Sequence, residues 1–166
     1  MAFTCETCGQ THSGDVRDIR MGLPEPIFFL DEEEREARAS VGDDSAVLRQ
    51  AGGDRYFVRG LLELPIEGDD GYFGYGSWIE VSREDFDALG ELWHDVDGWR
   101  SGPFSGTLAN ELAPYFATVG LPLRIRLRDV RLLPLVELED ANHELVRAQH
   151  QGISRHRAHE LAATVA

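Results

Sequence analysis

The clearest periodic pattern in the chain runs from Leu121 to Leu127, where leucine and isoleucine alternate with proline and arginine. A period of two residues is typical of a strand with one face in the core and one face in water. Two apolar runs lie upstream, from Tyr56 to Ile66 and from Gly71 to Val81, and the polar loop between them contains Glu67 and Gly68. This order predicts an antiparallel hairpin, and we expect the rest of the chain to be built around it.

Shorter segments add further strands and several helices. Strands are predicted at Ala46 to Leu48, at Phe104 to Leu108 and at Arg131 to Leu138, and Pro134 places the last one at a sheet edge or a bulge. The two prolines between Met21 and Pro26 predict extended backbone there.

Helix starts are predicted where a short polar side chain can accept a hydrogen bond from the first turn. They lie at Asp31 (a helix to about Ala39), Ser82, Asn142 (a helical turn) and Ser154 (the final helix). Strands in the middle of the chain with helices towards its ends predict an α+β fold: an antiparallel sheet with flanking helices and an N-terminal zinc-knuckle-like turn.

The length of 166 residues is suited to one domain that can bury a core without disulfides. We therefore expect a single domain over residues 1–166. Within it, residues 1–20 form a metal-knuckle segment, residues 44–138 form the sheet region with one inserted helix, and residues 140–166 form the C-terminal helices.

Charge limits the classes of partner. The chain has 30 acidic residues against 16 arginines and lysines, a formal net charge of −14. Such a surface repels phosphates, so we expect no nucleic-acid binding, and a protein partner would be basic. The N-terminus does not have the pattern of a secretory signal, and no apolar run approaches the ~20 residues that cross a bilayer. We therefore expect a cytoplasmic protein that does not enter membranes.

The most specific chemical signal is Cys5-x-x-Cys8 with His12 four residues later. Two thiolates and an imidazole are ligands that zinc prefers, and Gly9 permits the left-handed turn that brings backbone N–H groups towards the sulfurs. We interpret Cys5, Cys8 and His12 as ligands of a structural zinc ion. A dithiol redox pair and two unmetallated thiols are the alternatives. Redox pairs usually begin a helix after a buried strand, which is not the pattern here.

A closed tetrahedral zinc site needs a fourth ligand. We predict His143, because a ligand before the last helix would fix the N-terminal knuckle to the body of the protein. His94, Asp15 and Asp18 remain alternatives. A water molecule in the fourth position would instead make a catalytic site, although no glutamate is convincingly placed as its general base.

Several further motifs resemble those of the uncharacterised bacterial family called domain of unknown function 2199. They occur in one order along nearly the whole chain: Cys5, Cys8, Gly9 and His12; Arg59, Gly60, Gly76 and Trp78; His143, Gln149, Gly152 and Ile153. Glu144 departs from the pattern, where the resemblance leads us to expect proline. The family's function is itself unassigned, so the resemblance implies no activity.

Other candidate residues have ordinary structural interpretations. We expect Arg59 to pair with a nearby carboxylate, and Trp78 to lie in the core with its indole N–H bonded. His150, His156 and His159 are interpreted as a solvated helix face, in preference to a metal-binding or pH-sensitive one.

Taken together, the sequence predicts a small protein with a structural zinc site that acts as a protein-binding module. A metal-dependent hydrolase, or another small-molecule enzyme, is the alternative.

Overall fold

A computed structural model describes the backbone of residues 2–13 and 17–164; the side chains of residues 2, 3, 12 and 13 lie outside the described part. The α+β prediction is confirmed. The strands are β1 (Ala2–Thr4), β2 (Thr11–Ser13), β3 (Asp18–Arg20), β4 (Ala39–Val41), β5 (Ser45–Leu48), β6 (Arg55–Pro65), β7 (Tyr72–Val81), β8 (Phe104–Leu108), β9 (Pro122–Arg126) and β10 (Leu135–Leu138). The helices are α1 (Glu25–Phe28), α2 (Glu32–Arg38), α3 (Arg83–Leu92), α4 (Glu144–Gln151) and α5 (Arg155–Ala163).

The β6–β7 hairpin organises the main sheet, as the apolar runs predict. Its strands pair without interruption from Tyr56↔Val81 to Pro65↔Tyr72. The outer edge of β6 pairs first with β5 and then with β10, while the outer edge of β7 pairs with β3 and then with β8. Each long strand thus pairs along its outer edge with two short strands, one after the other.

The main sheet closes on itself. The ring β6–β7–β8–β9–β10 returns to β6 through a parallel pairing of Leu135 and Val136 with Leu61 and Leu62. The β3–β7 pairing is also parallel, and the other pairings between these ten strands are antiparallel. At Gly60 a Cβ atom would lie 2.6 Å from Val136, so the strand has no room for a side chain where β10 approaches.

Helices cover the closed sheet and contribute to its core. Leu89 of α3, Leu145 of α4 and Leu161 of α5 are fully buried in the larger apolar cluster, which also contains side chains from six strands. A smaller cluster includes Ile27 of α1 with Phe57 and Trp78. The C-terminal helices are therefore integral to the folded core, which fixes the position of α5 relative to the rest of the chain.

Local signals predicted most helix starts. The side chains of Asp31, Ser82 and Ser154 each accept a hydrogen bond from the backbone N–H three residues ahead. The predicted turn at Asn142 begins one residue later, with His143 as the N-cap of α4. The expectation of extended backbone up to Pro26 is wrong for α1, because proline is tolerated in the first helical turn, where its missing N–H has no partner to lose.

Arg59 differs from its predicted role. It is only 2% exposed, and its guanidinium donates to the backbone carbonyls of Asp43, Met21 and Gly76 at 2.9, 2.8 and 3.1 Å. The same group lies 4.4 Å from the ring centroid of Trp78. Burial, with the charge of Arg20, lowers the pKa of Arg59, opposed by Asp44 and Asp43. Arg59 is thus an internal brace between three backbone segments.

Trp78 is in the core, as predicted. Its indole N–H, however, has no hydrogen-bond partner within the described residues. No described helix is long and apolar enough to cross a membrane.

Candidate metal centre

The N-terminal hairpin shapes the first part of the site. Strands β1 and β2 pair through Phe3↔His12 and Thr4↔Thr11, and the hairpin continues with a hydrogen bond from Cys5 N to Gln10 O at 2.8 Å. Gly9 N donates to Cys5 O at 2.7 Å, and Gly9 has φ +70°. This left-handed position favours glycine, so the Cys5–Gly9 turn is the knuckle that the sequence predicts.

The turn directs backbone donors at the sulfur of Cys5. The pKa of the Cys5 thiol falls to about 7, first because the backbone N–H of Cys8 bonds to its sulfur. Burial opposes the decrease, while hydrogen bonds from the Thr7 backbone, the His156 ring and the Cys8 side chain add to it. The site thus stabilises the thiolate, which is the form that binds metals.

A histidine from the other end of the chain meets this sulfur. His156 lies in the first turn of α5, and its Nδ1 is 3.2 Å from Cys5 Sγ. Helix α5 is held in place by the buried side chain of Leu161 and by Arg155, which donates to Gly68 O at 2.9 Å. The hydrogen bond to Cys5 is the main reason that the pKa of His156 is raised; burial opposes this increase.

Cys5, Cys8 and His156 together form a possible metal site. Each offers one ligand atom, and the three atoms lie within 4.8 Å of one another. Cys5 is buried, Cys8 is exposed and His156 is intermediate. With Zn–S and Zn–N bonds of about 2.3 and 2.0 Å, ligand atoms of a tetrahedral zinc ion are roughly 3.5 Å apart. The group therefore needs only a small adjustment to surround such an ion.

Glu160 supports the histidine from its other side. Its Oε1 is 3.3 Å from His156 Nε2, one helical turn along α5, and its Oε2 accepts a hydrogen bond from Arg157 at 3.2 Å. Arg157 also lies over the ring of Tyr115, with 5.2 Å to the centroid. A carboxylate on the outer nitrogen orients an imidazole and leaves the inner nitrogen to bind a metal.

His143, the predicted fourth ligand, is not in this group. Its Nδ1 accepts from Leu145 N at 3.0 Å, and its Nε2 is 2.7 Å from the carbonyl oxygen of Phe116. A carbonyl can only accept and an amide N–H can only donate, so Nε2 carries the proton and neither nitrogen has a lone pair to spare. In this arrangement His143 caps α4 and fixes the backbone at Phe116 through a hydrogen bond.

The remaining predicted ligands differ in where the structure places them. His94 and Asp18 are exposed and do not belong to the cluster. Asp15 and the side chain of His12 lie outside the described residues, although the His12 backbone is placed opposite Phe3. Cys5 and Cys8 are brought together.

His156 is the functional candidate that sequence reasoning missed. The interpretation of the C-terminal histidines as a solvated face is wrong for this residue, because it contacts Cys5. The signal available in the sequence was the spacing His156-x-x-x-Glu160, which places an imidazole and a carboxylate on one helix face.

Comparison with protein families identifies the chain's relatives. Residues 4–153 match the family model DUF2199, described as an uncharacterized protein conserved in bacteria. The chain belongs to this family. The resemblance noted from its motifs is thereby confirmed. Cys5 and Cys8 lie within the matched part of this DUF2199 protein, whereas His156 and Glu160 follow it. No curated protein and no solved structure matches the chain.

Proposed function

We propose that this DUF2199 protein binds one zinc ion through Cys5, Cys8 and His156, that the ion has a structural role, and that the folded protein is a binding module for a basic protein. The observation that carries the zinc proposal is the convergence of three ligand atoms from opposite ends of the chain. Two sulfurs and one imidazole nitrogen favour zinc over magnesium or calcium, which prefer oxygen.

The structural role follows from what the site would connect. Strands β1 and β2 form a separate two-stranded sheet of three residues per strand. An isolated hairpin of this size is marginal in water, so attachment to α5 would stabilise it. A zinc ion held by Cys5 and Cys8 on one side and His156 on the other supplies this attachment, because its binding energy exists only in the folded protein.

We propose His12 as the fourth ligand. His12 belongs to β2, and its backbone pairs with Phe3, two residues before Cys5. A fourth ligand from this strand would close the site within the hairpin. We retain His12 from the sequence prediction and assign His156 the bridging role that the sequence suggested for His143.

The protein-binding role rests on charge. The formal charge of −14 favours a basic partner and disfavours nucleic acids. A metal-dependent hydrolase would need an open coordination position and a carboxylate available as a base. Glu160, the carboxylate beside His156, is already bonded to that ring and to Arg157, so we favour the structural role.

Elemental analysis tests the zinc proposal directly. Protein made without an affinity tag is expected to contain about one zinc ion per chain, and a chelator should remove it with the appearance of two reactive thiols. Protein that is isolated without metal, binds none on addition of zinc and has two freely titratable thiols would contradict the proposal.

Glu160 is expected to set the affinity for zinc without binding it. Replacing Glu160 with alanine should weaken zinc binding about 10- to 100-fold, because His156 loses the partner that orients its ring. Glu160→Gln should have a smaller effect, since the amide oxygen still accepts a hydrogen bond. Competition with a chromogenic chelator measures the affinity. Asp87→Asn, which alters the exposed Arg83–Asp87 pair of α3, is the matched control; equal affinities for the Ala variant and this control would count against the role.

A further inference from the structure

A pair of exposed aromatic side chains lies at the end of α1. Phe28 and Phe29 are 56% and 78% exposed. Their rings contact each other edge to face, with centroids 5.3 Å apart and an interplanar angle of 79°. Single exposed apolar residues are ordinary on protein surfaces, but two adjoining rings form a patch that water solvates poorly.

The backbone beneath this pair is held firmly. Arg35 of α2 donates to the carbonyls of Ile27, Phe28 and Leu30, at 3.3, 2.9 and 3.1 Å. Ile27 is fully buried. Apolar side chains on a fixed backbone lose less conformational entropy on binding than those on a mobile loop, which favours an interface hot spot.

Carboxylates adjoin the aromatic pair. Residues 31–38 contain five acidic residues and two arginines, and helix α2 has no buried residue. Both arginines are engaged: Arg35 binds the three carbonyls described above, and Arg38 donates to Arg49 O at 3.1 Å and pairs with Glu34 at 3.5 Å. The exposed surface of α2 is therefore left with a negative charge, and Arg35 ties this helix to the backbone of Phe28.

We propose that Phe28, Phe29 and the acidic face of α2 form the docking surface for a basic protein segment. The segment would place an apolar side chain against the two rings and its arginines or lysines against Glu32 and Glu33. This inference rests on the protein-binding part of the proposed function and adds the surface and the chemistry of the partner. Complementary charge selects this occupant over a second copy of the acidic chain, which would be repelled.

Selection from a displayed library of random 12-residue peptides tests the surface. Enriched peptides are expected to carry several arginines or lysines around an apolar residue and to bind more weakly as salt increases. The double variants Phe28→Ser/Phe29→Ser and Glu32→Gln/Glu33→Gln should each reduce affinity for such a peptide about tenfold or more. All four side chains are substantially exposed, so the variants should fold like the parent chain.

Matched controls separate this surface from others. Val96→Ser/Leu132→Ser removes two exposed apolar side chains elsewhere, and Glu84→Gln/Asp87→Gln removes two charges from α3. Both controls should bind the peptide within about twofold of the parent.

The possible failures are distinguishable. If basic peptides bind the Phe28→Ser/Phe29→Ser and Glu32→Gln/Glu33→Gln variants as tightly as they bind the parent chain, the proposed docking surface is wrong. The protein-binding role would then belong to another part of the surface. Failure to enrich any peptide would overturn both the surface and the binding role. Self-association that the Phe28→Ser/Phe29→Ser change abolishes would make a second copy the occupant. Zinc content, measured on the same preparations, reports the metal proposal separately.

Discussion

Replacing Cys5 with serine or His156 with alanine is expected to abolish zinc binding and to lower the thermal midpoint by about 10 °C when free zinc exceeds its dissociation constant about 1,000-fold. The reason is that each change removes a ligand of a site that forms only in the folded protein. The variant with both changes should be as stable as the less stable of the two single variants, because the two residues act through one ion. Elemental analysis and thermal unfolding with and without zinc provide the measurements.

His143→Ala is the informative comparison for this prediction. It removes the N-cap of α4 and the contact to the Phe116 carbonyl, so it should lower stability and leave zinc content unchanged. A His143→Ala protein without zinc, together with a His156→Ala protein that keeps it, would reverse the ligand assignment and make His143 a ligand, as the sequence predicts.

Arg59→Met is expected to lower the free energy of unfolding by about 3 kcal/mol or more. Methionine fills much of the space of the arginine stem but leaves the buried carbonyls of Met21 and Asp43 without their charged donor. It also removes the contact with the ring of Trp78. Urea unfolding followed by circular dichroism measures the change, which should appear as a lower midpoint with an unchanged slope.

An exposed arginine provides the control for Arg59. Arg124 lies on β9 and pairs with Glu139 at 3.6 Å near the surface, so Arg124→Met should change stability by about 0.5 kcal/mol or less. Arg59→Lys tests whether the planar guanidinium is required, because a single ammonium group cannot bond to all three carbonyls. Full stability of the Met and Lys variants would show that the internal brace is dispensable.

Features determined by neighbouring residues were predictable from the sequence. The caps at Asp31, Ser82 and Ser154 depend on a side chain and a backbone N–H three residues away, and the structure has all three. The knuckle at Cys5 depends on the spacing to Cys8 and on a glycine at the left-handed position. Such signals need no knowledge of the tertiary fold.

Features that depend on distant packing were not predictable in the same way. The parallel contact of β10 with β6 joins segments more than 70 positions apart. The main sign of it in the local sequence is Gly60, where a side chain would collide with β10. The spacing of His156 to Glu160 does not by itself separate His156 from a surface histidine, because its contact with Cys5 depends on the tertiary position of α5. Arg59 was expected to bind a carboxylate, because sequence composition cannot show that three carbonyls converge around it.

The separation of the metal ligands along the chain has a consequence for biosynthesis. Cys5 and His156 are 151 positions apart. At 5–20 residues per second, the ribosome would make His156 roughly 8 to 30 s after Cys5. During this interval the two N-terminal thiols would have no histidine partner from α5, and other metals or oxidants could compete for them. The proposed zinc site would therefore be completed late, when α5 docks, and its occupancy would report that the chain has finished folding.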